Sequence, residues 1–108
     1  MKLAFHDRFA LLGLLPTEED HLTLRITYTA RLVLAPSAEE ISEFSMVQEG
    51  PKISWNVEKA RDYLPDIPLD DAMITLIRRK LVDLDKQRKL TQNTDALFEK
   101  FVLAYQQM

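Results

Sequence analysis

Covalent catalysis needs a nucleophile, a base and a group that orients the base. The chain offers two histidines, His6 and His21, no cysteine, and the serines Ser37, Ser42, Ser45 and Ser54. None of these serines lies in the glycine-flanked strand–turn–helix elbow that lifts a nucleophile clear of its neighbours. The run Glu18-Glu19-Asp20-His21 is the richest in metal-ligand types, and its oxygens suit a hard divalent cation. Adjacent residues cannot converge on one ion without ligands from elsewhere, and acids ahead of a helix complement its dipole. Asp62, Asp66, Asp70 and Asp71 are the right types for a two-metal nuclease. However, no Asp-x-Lys or Glu-x-Lys follows Pro65-Asp66, as such a site would require. The expectation is therefore no catalytic residue, no metal and no cofactor: a protein that is not an enzyme.

Charge is more informative. Fourteen bases and 17 acids give the 108 residues a net charge of −3, so no global positive field draws nucleic acid to the chain. Between Arg78 and Lys89, however, there are six bases and two acids. At helical spacing Arg78, Arg79, Lys86 and Lys89 fall opposite an apolar face of Met73, Ile77 and Leu84, with Val82 among them. Such a stripe is most simply a solvated helix face. Its alternative is a docking surface, and Val82 favours a protein partner over phosphates. Trp55, the single tryptophan, is expected to pack on this long helix. His6 is expected at the edge of the core, hydrogen-bonded to backbone.

The elements that position these residues can be read in turn. Residues 2–15 form a first helix that is apolar almost all round and stopped by Gly13 and Pro16. From 22 to 34 every even position is apolar, which is the alternation of a strand, although Leu22, Ile26, Ala30 and Val33 also make a helical stripe. Ser37 and Glu40 form a capping box for a short helix over 38–44. Residues 46–56 read as two strands around Gly50-Pro51, and 63–68, with two prolines, as a sheet edge or loop. Residues 70–89 are the clearest helix, with acids in the first turn and bases in the last. A last helix, capped by Thr91 or Thr94, carries the seam Leu97, Phe98, Phe101, Val102 and Tyr105. The N- and C-terminal helices should pack together on the 70–89 helix, with Phe9 and Phe101 both deep in the core. The fold class is α+β: one mostly helical domain of four to five helices, with a small antiparallel hairpin or meander at about 45–68. The longest apolar run, 9–15, is far short of the about 20 residues that span a bilayer, and no signal peptide is visible.

Several segments together resemble a family of small phage and prophage proteins. They are Met1-Lys2-Leu3, Leu11-Leu12-Gly13-Leu14-Leu15-Pro16, Thr23-Leu24-Arg25-Ile26, Gln48-Glu49-Gly50 with Ile53-Ser54-Trp55-Asn56, Leu84-Asp85-Lys86 with Lys89-Leu90-Thr91, and Phe98-Glu99-Lys100-Phe101. The resemblance implies a helix over 22–34, with Leu22, Ile26 and Ala30 facing the core, and supplies no catalytic or binding residue. It implies a non-catalytic phage protein-binding or accessory protein, either part of the virion or engaging a host protein. The partner is a phage or host protein or a second copy, reached through Arg78, Arg79, Val82, Lys86 and Lys89. The alternative is a small nucleic-acid-associated regulator using the same stripe. Neither reading involves a membrane or secretion, and the expected location is the host cytoplasm or the virion.

Overall fold

The computed structural model describes residues 1–103. Its element order is α1 (Phe5–Leu14), α2 (His21–Leu34), α3 (Ala38–Glu43), β1 (Val47–Glu49), β2 (Lys52–Ser54), α4 (Asp71–Lys86) and α5 (Gln92–Phe98). A π-helical turn, Glu99–Leu103, continues α5. The architecture is α+β and mostly helical, and α4 is its centre: α1, α2, α5 and the π turn all pack against it. The terminal helices also meet each other, as the sequence predicts.

Local chemistry accounts for most of the boundaries. Asp20, Ser37, Asp70 and Thr91 each occupy an N-cap and accept a hydrogen bond from a first-turn N–H. At α5 the cap is reciprocal, since the Thr94 hydroxyl accepts from the Thr91 N–H at 2.7 Å. α1 begins three residues later than expected. Lys2 is drawn into an isolated antiparallel bridge with Asp66, and the Leu3 N–H donates to the Pro65 carbonyl. The proline-rich 63–68 segment is thus a loop that borrows the chain's first residues as its only ladder partner among the described residues.

Residues 22–34 are helical, in agreement with the resemblance and against the alternation. The inward face consists of Thr27, Ala30 and Leu34, with Ile26 and Val33 partly buried beside them. Leu22, contrary to expectation, does not face the core; it is 71% exposed. The core accepts one stripe of a 3.6-residue helix, which leaves Tyr28 and Leu32 outside it, whereas Leu22 is exposed in the first turn of α2.

The sheet is a two-stranded antiparallel hairpin in which Val47 pairs with Ser54 and Glu49 with Lys52. Its two-residue turn needs a positive φ at the first central position, which Gly50 supplies at φ 62°, followed by the fixed negative φ of Pro51. Two helices reverse without glycine. After α3, Ser45 (φ 52°) allows the Met46 N–H to reach the Ile41 carbonyl. After α4, Arg88 (φ 59°) lets the Lys89 N–H reach Leu84 and the Arg88 N–H reach Asp85. Both are Schellman closures, whose left-handed position is ordinarily glycine. The second ends α4 at Lys86, three residues short of the predicted 89.

Two apolar cores result. The larger is aliphatic, built on Leu3, Leu11, Ala30, Leu34, Ile77, Leu81 and Leu97, with Phe101 fully buried in it. The smaller is aromatic: Phe5 meets Phe44 at 5.1 Å, Tyr63 at 5.4 Å and Trp55 at 5.9 Å between ring centroids. Phe9 is only half-buried, unlike the deep position expected of it. Tyr105, expected on the last seam, lies outside the described residues.

Phe101→Ala is expected to lower unfolding free energy by about 3–5 kcal/mol, and Phe9→Ala by clearly less, in chemical denaturation. Arg88→Gly is expected to stabilise the chain by about 1 kcal/mol in the same experiment, because it removes a side chain from the left-handed region.

Candidate functional site

The predicted stripe is partly dismantled by the fold. Lys89 lies beyond the end of α4, so helical spacing no longer aligns it with Arg78 and Lys86. Val82 is half-buried and packs against the aliphatic core. Arg78 is also half-buried and engaged in interactions of its own. Arg79 and Lys80 share Glu19, at 3.8 and 2.8 Å. Of the five residues, Arg79 and Lys86 remain on the exposed surface of α4 itself.

The acidic clusters have structural duties. Glu19 is occupied by the two bases of α4, and Asp20 caps α2, accepting from the Thr23 N–H at 2.8 Å. That backbone hydrogen bond, together with the Thr23 hydroxyl, lowers the Asp20 pKa. Asp70 caps α4, and the Asp66 carboxylate pairs with the Met1 ammonium. Among the described residues, no three His, Asp or Glu side chains are arranged to hold a metal ion.

Trp55 does not pack on α4 as predicted. It turns toward α1, where its ring lies 4.9 Å from His6 and 5.3 Å from Phe9. His6 is correspondingly exposed and rests against a ring, not at the core edge on a backbone partner. Together they wall an open groove of about 480 Å³ between α1, β2 and Asn93.

The most concentrated polar site joins residues far apart in the chain. Arg8, on the apolar α1, is 2% exposed. Its guanidinium forks onto Glu40, with Nη1 to Oε2 at 2.7 Å and Nη2 to Oε1 at 3.0 Å. The remaining donors go to the end of α2: Nε to the Leu34 carbonyl at 3.0 Å and Nη2 to Ala35 at 2.9 Å. Glu40 also accepts from the Ser37 N–H at 2.9 Å and the Tyr63 hydroxyl at 2.8 Å. Burial acts to raise the Glu40 pKa. The hydrogen bonds from Arg8, Ser37 and Tyr63 outweigh it and hold the group at about 2, below an ordinary 4.5. Tyr63 is shifted upward by its own burial and by its bond to Glu40. A signal for this site was present: Arg8 has no acid three or four residues away on its helix, so its partner had to come from elsewhere.

The three most exposed large apolar side chains among the described residues all lie on α2. Leu22, Tyr28 and Leu32 are 71%, 60% and 79% exposed, with Arg25 beside them and no carboxylate anywhere in the helix. No helix among the described residues is long and apolar enough to cross a membrane. No family model, curated protein or solved structure matches the chain.

The ion pair makes a pH prediction whose sign follows from the depressed pKa. Unfolded Glu40 takes up its proton near 4.5 and folded Glu40 only near 2. Its contribution, about 3 kcal/mol, is therefore complete above pH 4.5 and is lost as the pH falls through about 2. Glu40→Gln should be less stable at neutral pH, and its unfolding free energy should fall less steeply between pH 5 and about 2. Parallel curves for the two proteins would contradict the assignment.

Proposed function

We propose that the chain is a non-catalytic protein-binding module that docks through the outer side of α2. The observation that carries this reading is the exposure of Tyr28 and Leu32, one turn apart on the outer side of α2, with Leu22 also exposed in its first turn. Burying each such side chain contributes about 1.5–3 kcal/mol, so Tyr28 and Leu32, with Leu22 a turn and a half before Tyr28, form an apolar anchor set. An amphipathic helix presented in this way suits a partner with an apolar groove. Arg25, on a helix without acids, favours a groove rimmed by carboxylates. The proposed surface is thus α2 and not the stripe of Arg78, Arg79, Val82, Lys86 and Lys89. The phage setting, with a virion or host partner, rests on the resemblance of short segments alone. A nucleic-acid role has less to stand on, because the basic stripe is split between a half-buried valine, a shared glutamate and a residue beyond the helix.

Leu32→Asp should leave stability within about 0.5 kcal/mol, as is usual for an exposed position. It should abolish capture of a partner that the unaltered chain retains, or abolish self-association in sedimentation. The Arg79→Glu/Lys86→Glu double variant should retain both. The reverse pattern would move the surface to α4. A duplex-DNA gel shift at about 0.15 M salt, lost in the double charge variant, would overturn the protein-binding reading.

A further inference from the structure

We propose that residues 56–64 form a strap that opens as a local unit over the aromatic core, latched by the Tyr63–Glu40 hydrogen bond. The strap lies between β2 and the extended 65–67 segment and contains only short turns. Its internal bonds are local: the Ala60 N–H donates to Asn56, Arg61 to Glu58 and Tyr63 to Ala60, at 3.1–3.3 Å. Most of its side chains face water, including Val57 at 59% and Leu64 at 50% exposure. Apart from those turn bonds, three hydrogen bonds tie it to the other described residues, and all end on α3 or its C-cap. The Asn56 N–H donates to the Phe44 carbonyl at 2.8 Å, the Lys59 ammonium to Glu43 at 2.9 Å, and the Tyr63 hydroxyl to Glu40 at 2.8 Å. The lysine bond is solvent-exposed, and Asn56 sits at the hinge beside β2. Tyr63 is the sheltered tie, and its acceptor is a carboxylate already fixed by Arg8 and Ser37.

Beneath the strap is a hollow of about 250 Å³, with Phe5, His6 and Trp55 on one side and Val57, Ala60 and Arg61 on the other. His6 and Trp55 also wall the 480 Å³ groove, so the two spaces meet at the same pair of rings. Few buried apolar contacts, a single sheltered polar tie and exposed turns are the features of a segment that opens without global unfolding.

Tyr63→Phe keeps the ring against Phe5 and Phe44 and removes only the hydroxyl. Glu40 retains Arg8 and Ser37, so the fold is preserved. Hydrogen exchange on the full chain should show the amides of residues 60, 61 and 63 accelerated by about tenfold or more, as expected for losing a bond to a charged acceptor. Amides of Leu76 and Leu81 in α4 should keep their wild-type rates. Lys59→Ala, which removes the exposed tie, should change the strap little. The proposal is overturned if Tyr63→Phe leaves the strap amides unchanged. Equal acceleration of α4, or an effect of Lys59→Ala matching that of Tyr63→Phe, would overturn it as well.

Discussion

A buried guanidinium cannot be left without partners, and this requirement organises the first two-thirds of the chain. Arg8 lies between the aliphatic and aromatic cores, 5.3 Å above the Phe5 ring of its own helix, and its hydrogen bonds go to the end of α2 and to α3. It donates to the outgoing carbonyls of α2, which the helix itself cannot satisfy. Through Glu40 it holds the N-cap of α3 and the hydroxyl of Tyr63. A buried ion pair is weak evidence of net stability, since desolvation offsets most of the attraction. Here the pair is also the shared cap of two helix ends. Replacing both partners with apolar groups would therefore leave Leu34, Ala35, Ser37 and Tyr63 short of a hydrogen-bond partner.

What the sequence made legible follows from how local each signal was. The Ser37–Glu40 capping box, the Gly50-Pro51 turn and the Asp70 start of α4 involve residues within four positions of each other, and all three appear as read. The second segment shows the limit. Its alternation is real, but Asp20 caps a helix and the core admits one helical stripe, so the pattern survives only as the exposed residues Leu22, Tyr28 and Leu32. The end of α4 was misplaced because a left-handed arginine gives no mark that glycine would give.

The candidate surfaces were less legible than the fold, for a related reason. The basic stripe was drawn on an ideal helix extending to 89, and one Schellman closure removes Lys89 from it. Val82 looked like an anchor within a charged face, yet it reaches the core. Trp55 was assigned to the longest helix available, whereas the hairpin folds toward α1 and the other rings. The dual role of Glu40 needed tertiary knowledge. A capping box explains its presence fully, so nothing in the sequence suggested a second duty to a base 32 residues away.

The scarcity of glycine has a consequence in chain entropy. With only Gly13 and Gly50 in 108 residues, the unfolded chain has fewer backbone states to give up at its reversals than one that turns on glycines. Ser45 and Arg88 accept local strain in the folded state, and in return they leave the disordered chain less free. The two effects oppose each other at the same positions. The sharp corners after α3 and α4 are thus favoured partly by what the unfolded ensemble lacks, and not only by contacts visible in the fold.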